Sequence, residues 1–169
     1  MKAKKSSTAF EWIDSVALAL VAVIVLFTFV CQMYTVVGTS MEPTLYSEQR
    51  VLIWSALYQP KSGDIVVVDN HIDYGKTLVK RVIAVGGQTV TIDGETGELL
   101  VDGVSAGASL DNIRGDTVYP LTVPEGYCFV MGDHRGVSLD SRYQQIGLVP
   151  CSHITGRVLL RLYPFTLFE

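Results

Sequence analysis

The stretch VALALVAVIVLFTFV, residues 16–30, decides the fold, because Thr28 is its only polar residue. Extended to Val37, the run has 22 residues. At about 1.5 Å per residue it would form a helix of roughly 33 Å, enough to cross a hydrocarbon core of about 30 Å. The run excludes an ordinary soluble globule. It predicts one transmembrane helix over residues 12–37, preceded by a short cytoplasmic segment, residues 1–11.

The residues that flank the run set its expected orientation. Lys2, Lys4 and Lys5 precede it, and the positive-inside rule places such a terminus in the cytoplasm. We therefore expect a single-pass protein of the cell membrane, with residues 38–169 on the extracytoplasmic side. A cleaved signal peptide has the same features, but no A-x-A pattern follows the run. Ser40 follows so closely that, at ~3.3 Å per residue, it is expected within about 10 Å of the span.

The remaining composition narrows the classes of function. The 169 residues include 13 basic and 17 acidic ones, for a net charge of −4, so no broad positive surface is expected to bind nucleic acid. Apolar residues make up 49% of the chain, and enough of them lie outside the span to build a core, which excludes disorder. His71, His134 and His153 lack metal-binding spacing, so neither a metal nor a cofactor is expected. Cys128 and Cys151 either pair in an oxidising exterior or stay free.

After the span, short runs rich in β-branched and aromatic residues alternate with turn sequences. Strands are predicted at Arg50–Trp54, Ile65–Asp69, Thr77–Val85, Thr89–Ile92, Glu98–Val101, Val118–Val123, Tyr127–Met131 and Ile154–Leu162. The segment 86–116 is rich in Gly, Asp and Ser and predicts hairpins inserted between two parts of one sheet. The predicted fold is mainly β: a transmembrane helix, a β-sheet core over residues 38–85 and 117–169, and a small inserted β subdomain over residues 86–116.

Three polar clusters interrupt this β pattern. Ser40 lies in GTSMEPTL, residues 38–45, in a turn that leaves its hydroxyl outside regular structure, although many unrelated loops have such a serine. Lys80 lies in the apolar run TLVKRVIAVGG, residues 77–87, where strand alternation turns Lys80 and Arg81 to opposite faces. The third cluster, GDHRGVSLDSR, residues 132–142, is either a solvated loop or a set of side chains that fix one another.

Two interpretations of Lys80 stay open at this point. Its stem can lie along apolar surface with the ammonium group in water. Alternatively, desolvation lowers the pKa of the amine, so that the neutral form acts as a general base.

The boxes GTSMEPTL, SGDIVVV, VKRVIAVGG, FVMGDHRGVSLDSRYQQIGLVP and ITGRV, in this order behind one span, resemble bacterial type I signal peptidase. That family consists of membrane-anchored Ser-Lys endopeptidases that remove signal peptides from exported proteins, and the resemblance covers nearly the whole chain. It implies that Ser40 is the nucleophile, that Lys80 is the general base and that Ser138 orients the lysine. It also implies a β-sheet catalytic core with a variable inserted subdomain.

The resemblance extends to supporting residues and to partners. It implies two ion pairs that brace the site, Arg81 with Asp133 and Asp140 with Arg142. Met41 and Pro43 are expected near the substrate and the membrane. The implied partners are the lipid bilayer and precursor proteins that carry a signal peptide, cut after a small residue at an A-x-A-like site.

Two positions depart from the family pattern. Gly38 stands where some relatives have a serine that donates to the oxyanion hole, so the hole would rest on the backbone N–H of Ser40 and on solvent or a hydroxyl such as that of Thr39. His134 stands where the family more often has Asn, and it is expected to support the site rather than act as a base.

Position 80 distinguishes two forms of the family. Lysine rather than histidine at this position matches the bacterial form and not the endoplasmic-reticulum form.

Other interpretations remain. A LexA-like autoprotease shares a Ser-Lys dyad and a β-rich fold, but such proteins are soluble and carry a DNA-binding helical domain. A membrane-anchored binding module would leave the polar clusters unexplained, and an inactive homologue would share every motif.

Apolar residues near two strand ends also have two interpretations. The residues are Trp54, Leu57, Tyr58, Tyr163, Phe165, Leu167 and Phe168. They either pack in the core or form an apolar rim at the membrane interface.

Overall fold

The computed structural model describes residues 4–69, 75–108 and 115–168. A helix, α1 (Lys4–Val25), continues into a π-helical turn, Leu26–Val30, and leads directly into the first strand. The strands of the described residues are β1 (Cys31–Thr35), β2 (Arg50–Trp54), β3 (Ile65–Val68), β4 (Leu78–Val85), β5 (Thr89–Ile92), β6 (Glu98–Val101), β7 (Val104–Ala108), β8 (Leu121–Thr122), β9 (Tyr127–Met131), β10 (Val149–Pro150), β11 (Ile154–Leu162) and β12 (Phe165–Leu167). The fold is mainly β behind one N-terminal apolar helix, as the sequence predicts.

The apolar helix is shorter than predicted. Phe10–Thr28, 19 residues with a mean hydropathy of 2.2, is long and apolar enough to cross a membrane, and none of it is buried against the rest of the protein. The prediction that the helix runs to Val37 is wrong, because Cys31–Thr35 pairs with Arg50–Trp54 as an antiparallel strand. Tyr34 packs against the core. This packing and the cross-strand hydrogen bonds favour a strand over the continued helix that the apolar composition of the segment predicts.

The strands form two antiparallel sheets. The larger sheet has the order β1-β2-β11-β3-β4-β9-β10, and β12 pairs with β11 outside this path. The smaller sheet has the order β7-β6-β5-β8. Strand β11 is nine residues long and pairs in turn with β3, β2 and β12, so it ties the two halves of the large sheet together.

The inserted subdomain ends later than predicted. Strand β8, Leu121–Thr122, pairs with β5 in the smaller sheet, although the expected boundary lay at residue 116. The predicted strand Val118–Val123 is reduced to these two residues. A buried cluster that includes Ala84, Phe129 and Leu99 packs the small sheet against β4 and β9. Residues 109–114 of the predicted insertion lie outside the described residues, as does His71.

Candidate active site

The loop that carries Ser40 connects β1 to β2 and is anchored from both sides. Met41 and Leu45 are buried in the core, and the N–H of Leu45 donates to the carbonyl of Met41 at 2.9 Å. Ser40 itself is half-buried, and Pro43 is exposed. Gly38 has φ +89°, a conformation that strains any residue with a side chain. This positive φ is a local reason for glycine at position 38, where some members of the family that the sequence resembles have serine.

Lys80 lies in the middle of β4, with its side chain only 2% exposed. Its Nζ donates to Ser138 Oγ at 2.9 Å. Desolvation by burial lowers the pKa of Lys80 to about 8, against a rise from the charge of Asp140 and with a further lowering from Arg142. With this pKa, about a tenth of the amine is neutral at pH 7, far more than for an ordinary lysine. The interpretation in which the ammonium group of Lys80 reaches water is therefore wrong.

Arg81, the next residue, faces the other way and binds Asp133 with two parallel hydrogen bonds. The Nε–Oδ1 and Nη2–Oδ2 distances are both 2.7 Å. Burial of Asp133 opposes its ionisation, but the hydrogen bonds and charge of Arg81, with a hydrogen bond from Thr44, hold its pKa below the usual range. The pair connects strand β4 to the loop that follows β9.

A second ion pair lies inside that loop and is completely buried. Arg142 Nε donates to Asp140 Oδ1 at 2.8 Å, and neither side chain is exposed. Arg142 Nη2 also donates to the carbonyls of Arg135, at 2.6 Å, and Ser138, at 3.2 Å. The N–H of Gly132 lies 3.0 Å from Asp140 Oδ2 and 3.1 Å from Ser138 Oγ. These contacts fix the position of Ser138 relative to β9, and thereby of the lysine amine that it binds.

Gly132 is the point at which the serine loop and the lysine-binding loop meet. A Cβ atom at this position would lie 2.4 Å from the carbonyl oxygen of Ser40 and 2.3 Å from Ser138 Oγ, so no side chain fits. The Ser40 carbonyl accepts a hydrogen bond of 3.0 Å from the N–H of His134. His134 thus contributes its backbone, and its side chain is exposed.

Ser40, Lys80 and Ser138 lie in one region of the structure, but Ser40 and Lys80 are not hydrogen-bonded to each other. Among the residues that the structure describes, Lys80 Nζ has its hydrogen bond with Ser138, and none joins it to Ser40 Oγ. Catalytic hydrogen bonds are often long in the absence of substrate. A groove of about 210 Å³ runs past Ser40 between residues 34–37 and 77–79. Met41 lines it as well, although most of its side chain is in the core.

Thr44 is a site residue that the sequence did not single out. Its hydroxyl donates to Asp133 Oδ2 at 2.5 Å, and its carbonyl accepts from Arg161 Nη1 at 3.2 Å. It therefore fastens the serine loop to the Arg81–Asp133 pair. The only available signal was its position in the GTSMEPTL box, which does not reveal a partner 89 residues away.

A half-buried serine in the same neighbourhood as a desolvated lysine is an arrangement that can support serine-type hydrolysis, and an apolar helix long enough to cross a membrane precedes it. The sequence model of the family "Signal peptidase, peptidase S26" matches residues 9–163. The chain is 33% identical over 176 residues to signal peptidase I of Bacillus licheniformis, covering 95% of this chain and 92% of the relative. It is 32% identical over 181 residues to signal peptidase IB of Staphylococcus aureus, covering 94% and 92%.

The protein belongs to the peptidase S26 family of signal peptidases. A crystal structure of a signal peptidase I from Enterococcus faecalis aligns with a TM-score of 0.47 and 29% identity, covering 59% of this chain and 97% of that chain. Family membership makes the chain a serine-type peptidase of the signal peptidase I kind.

Thr44→Val tests the fastening of the serine loop. It removes the hydroxyl that donates to the Asp133 carboxylate while keeping the side-chain volume, so we expect the free energy of unfolding to fall by about 1–3 kcal/mol. Thr44→Ser keeps the hydroxyl and is expected to stay close to the wild type. Denaturant unfolding in detergent measures both variants, and equal stability of Thr44→Val and Thr44→Ser would contradict the role of the hydrogen bond.

Proposed function

We propose that this protein is a membrane-anchored endopeptidase that removes N-terminal signal peptides from exported precursors with a Ser40–Lys80 dyad. The observation that carries the proposal is the burial of the Lys80 amine next to the Ser40 loop, with its N–H held by Ser138 at 2.9 Å. Burial of a lysine amine is costly, and a strongly perturbed, oriented amine of this kind is typical of functional sites. Such an amine can serve as the base for a serine nucleophile.

The orientation of the amine favours proton transfer from Ser40. A neutral amine has two N–H groups and one lone pair, and donation of an N–H to Ser138 Oγ leaves the lone pair for the Ser40 hydroxyl. Lys80 takes the proton while Ser40 Oγ attacks the scissile carbonyl. The lysinium that forms then protonates the leaving amine, and an ester joins the substrate to Ser40.

The second half of the reaction uses the same groups. Once the amine product has left, Lys80 is neutral again and deprotonates a water molecule that attacks the ester. The bond between Ser40 Oγ and the substrate then breaks, Ser40 Oγ takes the proton back from the lysinium, and the carboxylate product leaves. The oxyanion that forms in both halves needs N–H or O–H donors. The backbone N–H of Ser40 and the hydroxyl of Thr39 are the donors that we assign, because Gly38 has no side chain.

The groove beside Ser40 supports an extended substrate. Residues 34–37 and 77–79 line its two sides, and the backbone of an extended peptide can add as a strand between such segments. Its small volume and apolar lining, with Val36, Met41 and Leu78, suit small side chains at the first and third positions before the cut. These are the positions occupied in A-x-A sequences.

An exposed apolar sheet face supports contact with the bilayer. Side chains of paired residues share a face in antiparallel sheets, and the register puts one set of apolar residues on the face opposite the core: Met33, Leu52, Trp54, Leu160, Leu162, Phe165 and Leu167. Most of them are exposed. We call this set the outer face. It overlaps the predicted rim. Five of the seven rim residues are exposed, namely Trp54, Leu57, Tyr163, Phe165 and Leu167, whereas Tyr58 hydrogen-bonds Asp64 and Phe168 packs on the core.

The outer face begins at the level where the apolar helix ends. Trp54 lies opposite Cys31, the first residue after the apolar helix and its last turn. A tryptophan at this level is where the membrane interface is expected. The outer face then extends from the anchor along β2, β11 and β12, so that the sheet can rest on the lipid surface beside an anchored precursor.

Variants of the dyad test the chemistry. Ser40→Ala removes the nucleophile, and Lys80→Met removes the base while filling its buried site, so each is expected to lower precursor cleavage roughly 10⁴-fold or more. Lys80→Arg is expected to fail as well, because a guanidinium stays protonated. The measurement is cleavage of a signal-peptide-bearing precursor in detergent, with the cut position read by mass.

Two further variants serve as controls for the dyad. Ser138→Ala is expected to reduce the rate about 10–100-fold, because it orients the base without reacting. Ser152→Ala, at an exposed serine, is expected to leave the rate unchanged. Substantial cleavage by folded Ser40→Ala or Lys80→Met would refute the assignment.

The pH dependence of cleavage provides an independent test. Only the neutral form of Lys80 acts, and its fraction increases with pH up to the pKa of about 8. We expect kcat/KM to rise about tenfold per pH unit below that value and to level off above it. Lys61→Ala, at an exposed lysine, is expected to keep the same profile. A rate that is constant across this range, or that falls with pH, would require another base.

Tryptophan quenching tests the position of the outer face. The chain has two tryptophans, so Trp12→Phe leaves Trp54 as the only one. In vesicles with brominated lipids, we expect the fluorescence of Trp54 to be quenched. In a second chain that lacks both natural tryptophans and carries Phe165→Trp, we expect the new tryptophan to be quenched as well. Val118→Trp, on the inserted subdomain, is the control and should stay bright. An unquenched Trp54 would show that the outer face does not touch lipid.

A further inference from the structure

Cys128 and Cys151 lie side by side at the edge of the large sheet. Their Sγ atoms are 3.4 Å apart, and both are free thiols in this structure. Cys128 is buried in β9, whereas Cys151, in the turn after β10, is half-exposed. A disulfide has an S–S distance of about 2 Å, so the two sulfur atoms must come closer by roughly 1.4 Å to form the bond.

The two cysteines stand at the base of the loop that holds the site. Residues 129–150 lie between them and include Asp133, Ser138, Asp140 and Arg142. The strands that close this loop pair over only two positions, Val149 with Cys128 and Pro150 with Tyr127. One additional hydrogen bond, from the N–H of Cys151 to the carbonyl of Gly126 at 2.8 Å, supports the closure.

We propose that Cys128 and Cys151 form a disulfide that closes the loop carrying the lysine-orienting Ser138 and the carboxylates of Asp133 and Asp140. The proposal rests on the extracytoplasmic location that the N-terminal lysines predict, because disulfides persist in oxidising compartments. The 23-residue separation is long enough for a cross-link to restrict the unfolded chain substantially. The bond is a covalent brace for a loop whose own strand pairing is short.

The chemistry requires a disulfide oxidant, either a small-molecule disulfide or the disulfide of an oxidoreductase. The accessible thiol of Cys151 loses its proton and attacks one sulfur of the oxidant, which releases the first thiolate and leaves a mixed disulfide on Cys151. Cys128 then loses its proton and attacks Cys151 Sγ, which expels the second thiolate. The two cysteines lose two electrons and two protons in total, and the oxidant is reduced to two thiols. Burial raises the pKa of the Cys128 thiol, so the second step is expected to be the slower one.

Thiol counting on the full chain tests the bond directly. The protein is reduced in detergent, equilibrated with oxidised and reduced glutathione, then denatured and alkylated. We expect one labelled cysteine, Cys31, in the oxidised wild type and three after reduction. Cys31→Ala is the matched control and should show none before reduction and two after it. Peptide mapping should recover Cys128 joined to Cys151.

Thermal unfolding measures what the bond does. The oxidised protein is expected to melt roughly 5–10 °C above the reduced one, and the difference should vanish in Cys151→Ala. Three labelled cysteines after oxidation, or a lasting glutathione adduct on Cys151, would overturn the bond, and an unchanged melting temperature would overturn its bracing role. Precursor cleavage is measured on the same samples, so a failure of the peptidase assignment is seen separately from a failure of the disulfide.

Discussion

The buried amine of Lys80 is the constraint on which the rest of the site depends. An amine that is 2% exposed can stay in a sheet interior only if it is neutral or well paired, and among the described residues the hydrogen-bond partner of the Lys80 amine is Ser138. Ser138 must then be held still, because a hydroxyl that moves away would leave the amine without a partner. The N–H of Gly132 donates to the Ser138 hydroxyl, and the buried Arg142 donates to the Ser138 carbonyl, so both hold Ser138 in place.

The two ion pairs of the site have different functions in that architecture. Asp140 and Arg142 are entirely buried, and Arg142 also binds the carbonyl of Ser138, so this pair fixes the loop internally. Breaking such a pair leaves an uncompensated buried charge, at a cost of about 3–5 kcal/mol. Arg81 and Asp133 are partly exposed and instead connect the loop to β4 and, through Thr44, to the serine loop. One pair gives the loop its shape, and the other positions it against the nucleophile.

Sequence reasoning identified the elements that have a strong local pattern. Strands β2, β5, β6, β9 and β11 have the predicted bounds, because β-branched residues and flanking turns mark them clearly. Strand β1 was missed because its residues continue an apolar run, and only long-range pairing with β2 makes it a strand. The short strands β10 and β12 have too few residues for any period. Thr44 and Gly132 were missed as site residues for a similar reason, since their roles depend on contacts with distant segments.

The corrected end of the helix changes how the site relates to the membrane. With the span ending by Val30 rather than Val37, Ser40 is the tenth residue after it, which allows up to ~33 Å of extended chain instead of about 10 Å. A sheet that stood upright on the membrane would therefore carry Ser40 well away from it. Trp54 and Phe165, however, lie at opposite ends of this sheet region. Trp54 pairs with Arg157 of β11, whereas Phe165 pairs with Leu162, one position beyond the residue of β11 that pairs with Val51. Both ends can touch lipid only if β1, β2 and β11 lie along the surface, and in that arrangement the strand that leads to Ser40 runs along the membrane and not away from it.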